Sequence, residues 1–512
     1  MKRNVLNQLR LLLPLVAAIL LTLQQAGAQT TIAVVSDPHV MAPSLLDDQS
    51  NTAWVADYAS QRKMLVESNG LFEQLVATLS SSKPDILLIT GDLTKDGEMA
   101  SHKCVRDGLK KLKDAGVKVY VIPGNHDYGV TAYMYANNAK KALSAAKNTE
   151  MADDPASLAV KKMNDATSFS SYYSGYGYGE GCTVDPNGSN SYVTEPVTGL
   201  VLLAMDSHSG SIGEKTLDWI CSQASQARAN GKQVIAMMHH PLFPHIYGVD
   251  VFIDTYTVGD YENVRNKLIN AGVNVILTGH FHASDIAKDW NNDANKVIYD
   301  INTGSLISYP CDYRMLTLSA DMMTLEVTTA SLVETKALTP AGATSWKTWL
   351  TNRVSSIADA KMRNYLKNEV DRTALANFAA NAFVLHAEGD EETKDAAATL
   401  LNDYDNYSGN ELLFNMAKAL LSTTFHSMLE NTCNYETEKA SVTPDRTLSI
   451  PLLSPDVLNG TVTLSVNGWP LKADGIYTLQ GTRADILRPG IYIQRSANGK
   501  RPDKSRKIIV NT

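Results

Sequence analysis

The sequence predicts an α/β fold from Thr31 to about residue 330, and three observations carry that reading. Short, nearly continuous apolar runs occur at Thr31–Ser36, Asp85–Thr90, Val117–Ile122, Leu200–Met205, Gln233–Met238 and Val273–Thr278, as expected of strands buried on both faces. Helical segments fall between them, for example Lys63–Leu79, His102–Ala115 and Glu214–Ala229. After His282 the β-type runs come closer together (Lys296–Ile301, Met315–Ser319, Thr324–Thr328), which points to antiparallel pairs closing the domain.

Ser168–Gly181 is rich in Tyr and Gly and reads as a surface loop rather than a regular helix. Two roles stay open for it, an aromatic clamp on a ligand or a packing loop. From Thr335 to Ala440 the character is helical, with segments at Trp346–Ile357, Ala360–Val370, Thr373–His386 and Leu412–Leu429, expected to pack back on the α/β region. From Thr447 onward β-type character returns with Gly and Pro turns. The expected divisions are 1–28, 29–334, 335–440 and 441–512, since 512 residues exceed one compact core.

The first division reads as an export signal. Lys2, Arg3 and Arg10 precede or flank the apolar run Leu11–Leu23, and Ala26-Gly27-Ala28 resembles a cleavage site. The run is shorter than the roughly 20 residues of a membrane span. The chain is therefore expected in the periplasm, at the cell surface or outside the cell, without integral membrane association. A net charge of −8 excludes a nucleic-acid polymer recognised mainly by charge, but not a small anionic substrate, because bound cations can reverse the local sign. The five cysteines could pair in an exported chain, with at least one left over.

Five short motifs each follow a predicted strand: Asp37-Pro38-His39, Gly91-Asp92, Gly124-Asn125-His126-Asp127, His239-His240-Pro241 and Gly279-His280-Phe281-His282. Loops at the carboxyl ends of strands in an α/β sheet converge on one crevice, so these residues can meet. Six of the eleven histidines lie in these motifs. Together with Asp and Asn they offer imidazole, carboxylate and amide-oxygen donors suited to divalent metals.

In this order the motifs resemble those of the calcineurin-like metallophosphoesterases, with every motif intact over residues 31–330. The resemblance implies a four-layer α/β/β/α sandwich, here extended by the helical region and a small C-terminal β module. It implies two divalent ions, Mn, Fe or Zn. One would be held by Asp37, His39, Asp92 and His282, the other by Asp92, Asn125, His239 and His280, with Asp92 bridging. It further implies ester hydrolysis by an activated water, with His126 as the general acid. Asp127 would hold the His126 tautomer or cap the turn, and both roles stay open. His240 either contacts substrate or is a structural neighbour. Arg314 either meets substrate phosphate or makes a structural salt bridge. Lys95 stands where a purple acid phosphatase would place a tyrosine ligand, which disfavours a tyrosinate-bound ferric site.

The motif style is similar to the cyclic-nucleotide and glycerophosphodiester phosphodiesterase branch. A small phosphodiester is the favoured substrate, a phosphomonoester the alternative, and an inactive binding protein of the same fold the reading from another class. The segments Gly475–Gly481, Arg488–Ile493 and Lys507–Val510, with an Asn498-Gly499-Lys500 turn, resemble C-terminal sorting-type modules of secreted Bacteroidetes proteins. A secretion machinery is thus an expected partner, and a small accessory binding module is the alternative.

Overall fold

The computed structural model describes residues 29–146, 160–179, 181–247, 256–290, 296–389, 395–430 and 445–454, with short strands further on. The predicted leader, residues 1–28, lies outside them, as does Cys433. Thirteen strands matter for the site: β1 (Thr30–Val35), β2 (Ile86–Ile89), β3 (Lys118–Val121), β4 (Cys182–Val184), β5 (Tyr192–Val197), β6 (Leu200–Met205), β7 (Gln233–Met238), β8 (Val275–Thr278), β9 (Asp285–Trp290), β10 (Val297–Asn302), β11 (Asp312–Leu318), β12 (Thr324–Ser331) and β13 (Thr447–Pro451). The helices are α1 (Thr52–Tyr58), α2 (Ser68–Ser82), α3 (Met99–Asp114), α4 (Ala166–Tyr172), α5 (Glu214–Ala229), α6 (Tyr261–Ala271), α7 (Trp346–Met362), α8 (Glu369–Glu388), α9 (Asp395–Asn406) and α10 (Leu412–Glu430).

The strands form two sheets, ordered β13-β12-β11-β1-β2-β3 and β9-β10-β8-β7-β6-β5-β4. β1, β2 and β3 run parallel, as do β6, β7, β8 and β10. The later strands β11, β12 and β13 add antiparallel to the edge of the first sheet. Every residue of β2, β6 and β7 is buried, which is why these strands read as unbroken apolar runs. A narrow crevice lined by Ile32, Ile86 and Leu88 of one sheet and Leu200, Leu202 and Ile235 of the other marks where the two meet face to face. With the inner faces occupied by each other, the crossover helices α2, α3, α5 and α6 take the outer faces, and the result is the four-layer sandwich.

Trp346, Trp349, Leu350 and Val354 of α7 and Ala380 and Val384 of α8 belong to the same buried core as the sheets, so the helical region packs back on the α/β region. α8, α9 and α10 also enclose a small core of their own around Leu375, Tyr404, Phe414 and Phe425.

Four expectations need correction. Ser168–Gly181 is not a surface loop: its first residues complete α4, and Phe169, Tyr172, Tyr173, Tyr176 and Tyr178 are buried. The hydroxyls of Tyr173 and Tyr178 find partners inside, at His102 Nδ1 (2.8 Å) and the Asn190 carbonyl (3.1 Å). The helix expected at Ala360–Val370 is broken, because Asn368 caps a new helix by accepting from the Val370 and Asp371 amides. α9 was not foreseen at all. Thr447–Pro451 does not open a separate C-terminal piece but pairs with Thr324–Thr328 as the last strand of the first sheet.

The chain forms two compact units, Met1–Arg228 with Lys232–Leu453 and Ala229–Gly231 with Ser454–Thr512. The second unit contains an antiparallel pair, Ser465–Val466 with Trp469–Pro470, and a three-stranded antiparallel sheet of Ile476–Thr478, Gly490–Gln494 and Arg506–Val510. The Asn498-Gly499-Lys500 turn lies outside the described residues. Cys104, Cys182, Cys221 and Cys311 are free thiols. Among the described residues no helix is long and apolar enough to cross a membrane.

Candidate metal centre

The five motifs meet. Asp37 and His39 follow β1, Asp92 follows β2, and Asn125 and His126 follow β3, all at the carboxyl ends of parallel strands of the first sheet. His239 follows β7 and His280 and His282 follow β8, at the matching ends in the second sheet. The site therefore straddles the mouth between the sheets.

Two donor sets form there. In the first, His282 Nε2 stands 3.1 Å from Asp37 Oδ1 and 3.3 Å from His39 Nε2, which is 3.4 Å from Asp92 Oδ2. In the second, His239 Nε2 stands 3.3 Å from Asp92 Oδ2, 3.0 Å from Asn125 Oδ1 and 3.2 Å from His280 Nδ1. Donors bonded to one ion at about 2.1 Å lie about 3.0–3.4 Å apart, so these spacings are those of coordination edges. Imidazole nitrogens and carboxylate oxygens that face one another at such distances fit cations at their centres. The three groups Asp37/His39/His282, His39/Asp92/His126 and Asp92/His239/His280 could each hold a metal ion.

Asp92 faces both sets through a single oxygen. Oδ2 faces both sets, while Oδ1 accepts the His126 amide at 2.8 Å. Asp37 is divided likewise: Oδ1 faces His282, and Oδ2 is held by the Ser36 hydroxyl and by the His280 amide at 2.8 Å. His239 gives its Nδ1 hydrogen to the Thr90 carbonyl at 2.9 Å, which leaves Nε2 free to ligate. Burial, reinforced by nearby cationic groups, holds His39 and His280 down at about 3, in the neutral form a metal ligand requires. Burial acts in the same direction on His239, but the Asp92 charge overrides it and raises that ring to about 9.

The backbone is strained where the donors sit. Asp37, His39, Asp92, His280 and His282 all adopt positive φ, between 37° and 69°. Each such residue costs on the order of 1–3 kcal/mol, and the sheet framework imposes the conformation. Glycines give the loops room. A Cβ on Gly124 would overlap Asp92, and one on Gly279 would overlap Ser36 and Asp37.

His126 lies beside the first set, its ring 4.9 Å from that of His39. Its Nδ1 is 2.9 Å from Asp96 Oδ1. Burial would raise the Asp96 carboxyl, but the bond from His126 and the Lys95 charge hold it at about 2. Asp96 is thus the group that fixes the His126 ring, and Asp127 is not. Asp127 is fully buried and accepts from the amides of Leu93, Thr94 and Gly124 and from the Thr94 hydroxyl, tying the second and third loops together. Asp96 stands four residues after Asp92 in Gly91–Gly97, outside all five motifs. Lys95 is taken up by Asp96 and Glu98.

His240 is a buried neighbour of the second set, its ring 4.3 Å from that of His280 and its Nδ1 3.2 Å from Ser207 Oγ. It borders a cavity of about 310 Å³ that opens beside Asn125, where the rings of Tyr128 and His208 stack at 3.9 Å. Arg314 is closed off from any substrate by its burial, and among the described residues no carboxylate pairs with it. It is fully buried and donates to the carbonyls of Asn302 (2.7 Å), Asp285 and Asp445 and to the Thr329 hydroxyl.

A probable cyclic nucleotide phosphodiesterase of Rhodococcus erythropolis is 26% identical over 216 residues, 41% of this chain and 54% of that protein. Another from a Synechococcus species is 25% identical over 222 residues, 41% of this chain and 64% of that protein. The chain thus spans less than two thirds of either relative's own length. A dimetal phosphatase from Danio rerio aligns with 60% of this chain and 97% of its own, at 14% identity and a TM-score of 0.38. The profile of the calcineurin-like phosphoesterases matches residues 30–284, the stretch that carries all five motifs, and through it the chain belongs to that family.

Proposed function

We propose that the chain is an exported, metal-dependent phosphodiesterase acting on a small phosphoester, with His126 as its general acid. The observation that carries this reading is the pair of donor sets sharing Asp92 Oδ2. Two divalent ions, Mn, Fe(II) or Zn, would there neutralise phosphoryl oxygens and acidify a water. The chain's own residues supply the rest. Asp96 orients the His126 ring through Nδ1, so that Nε2 can give a proton to the departing ester oxygen. The His126 side chain is 31% exposed, open to the mouth where that oxygen would lie.

Three things support a diester over a monoester: the motif style, the similarity to two probable cyclic nucleotide phosphodiesterases, and the cavity beside Asn125, which has room for a second ester arm. The cationic Lys63, 3.5 Å from His39 Nδ1, favours the dianionic monoester as the second reading. Export is read from the leader sequence.

The test is elemental analysis and turnover on the metal-reconstituted full chain. The expected result is two ions per chain, with kcat/KM for bis-p-nitrophenyl phosphate exceeding that for p-nitrophenyl phosphate by about tenfold or more. Cyclic 3′,5′-AMP is the natural-type probe for the same preparation. Preference for the monoester replaces the diester reading. Two bound ions with no turnover of any of these esters would leave a binding protein of the same fold.

A further inference from the structure

Arg62 and Lys63 are consecutive cations just before α2, and among the described residues neither has a carboxylate partner. The segment is fixed, because the Met64 amide donates to the Ile307 carbonyl at 2.8 Å and Ser308 Oγ to the Arg62 carbonyl at 3.4 Å. Ser305, on the same loop, donates to the Asp37 carbonyl at 2.9 Å, so the two cations are held in register with the donor sets.

Lys63 Nζ lies 3.5 Å from His39 Nδ1. A ligating imidazole ordinarily gives its outer N–H to a carbonyl or carboxylate. An ammonium has no lone pair to accept it. With His39 Nε2 turned into the donor set, Nδ1 carries the hydrogen, so Lys63 is not its orienting partner. It feels the charges of Asp92, Asp37 and Asp96 across the site but makes an ion pair with none of them, so its charge is available to a group at the mouth. Arg62 is exposed and lies over the Phe383 ring at 5.0 Å, an apolar shelf supplied by α8, with its guanidinium donors open. His282 feels the field of both cations.

We infer that Arg62 and Lys63 form an anion subsite beside the donor sets. Lys63 takes a non-bridging oxygen of the scissile phosphate, and Arg62 takes a second anionic group, phosphate or carboxylate, elsewhere on the substrate. The inference rests on the phosphoesterase reading and deepens it by naming the substrate class: phosphoesters that carry an additional negative charge.

The experiment compares two ligands of nearly equal size, glycerol 3-phosphate and 3-phosphoglycerate, which differ by one carboxylate. Their dissociation constants are measured by calorimetry on the metal-loaded full chain at low ionic strength. The wild type is expected to bind 3-phosphoglycerate about tenfold more tightly. Arg62→Ala should reduce that preference to about twofold or less, and Lys63→Ala should weaken both ligands. Equal binding of the two ligands by the wild type, no binding of either, a preference that survives Arg62→Ala, or affinities untouched by Lys63→Ala overturns the subsite. Calorimetry needs no turnover, so failure of the phosphodiesterase reading is seen separately, in the ester assays.

Discussion

Asp96 Oδ1 stands 2.9 Å from His126 Nδ1, so a carboxylate from the second loop fixes an imidazole from the third. The proposed acid therefore depends on a residue of a neighbouring loop. Asp96→Asn is expected to lower kcat by about 10–100-fold, and His126→Ala by about 10²–10⁴-fold, with KM little changed. Both losses should be large for alkyl esters and small for p-nitrophenyl esters, whose leaving group needs no proton. Equal losses on the two ester types would mean that His126 does not act as an acid.

Asp127 ties loops together rather than orienting His126. Asp127→Ala leaves the amides of Leu93, Thr94 and Gly124 without their buried acceptor. At about 1–3 kcal/mol for an unsatisfied group, and with some relaxation, a loss of about 3–5 kcal/mol is expected in urea denaturation. Metal affinity should fall with it, since Gly124 and Leu93 flank Asn125 and Asp92. An unaltered urea midpoint together with a shifted pH–rate profile would return Asp127 to the chemistry.

The alkaline limb of stability should be set largely by His245, with His239, raised to about 9, adding to it in the metal-free chain. The ring is buried between Asp285 Oδ1 and Asp300 Oδ2, each 3.1 Å away, with His386 3.6 Å from Asp285 and the Phe243 ring alongside. Arg314 adds a positive charge near Asp285. Burial pulls the imidazole down, but the two carboxylates prevail and raise it from 6.5 to about 10. The folded state thus binds this proton more tightly than the unfolded one. Its contribution is complete below 6.5 and is lost as the pH climbs toward about 10. Urea midpoints of the metal-free chain should fall across that window. His245→Gln should start lower at about pH 6 and change less. Parallel curves for the two proteins would rule this out.

Arg314 should matter to stability and not to substrate. Arg314→Met strips the buried carbonyls of Asn302, Asp285 and Asp445 of their donor, at an expected cost of about 2–4 kcal/mol. KM for bis-p-nitrophenyl phosphate should stay within about twofold. A raised KM at unchanged stability would place the guanidinium at the substrate instead.

The residues of the two donor sets were legible because each lies directly after an apolar strand, and strand direction alone sends Asp37, Asp92, Asn125, His239 and His280 to one rim. β6 and β7 were readable to the residue, since burial on both faces leaves no ambiguity of period. What escaped depends on tertiary contacts. The pairing of His126 with Asp96 rather than with the adjacent Asp127 follows from how the second loop turns, and neighbours in sequence point to opposite sides of such a turn. The burial of Tyr172, Tyr173, Tyr176 and Tyr178 was hidden because a Tyr- and Gly-rich composition is shared by exposed loops and by hydrogen-bonded packing. β13 was assigned to the wrong neighbour because nothing in Thr447–Pro451 names its partner strand.

The attachment of Thr447–Pro451 to Thr324–Thr328 also governs how the protein can be shortened and how it is made. α7 to α10 form an excursion anchored at both ends to the same sheet. A fragment stopping at residue 334, or just short of 447, bares a row of unpaired backbone groups on β12, a ready template for self-association. A cut after Leu453 keeps that edge covered. During synthesis the same edge stays open until residues 447–451 have emerged, so a stalled or clipped nascent chain would be the species most in need of a chaperone.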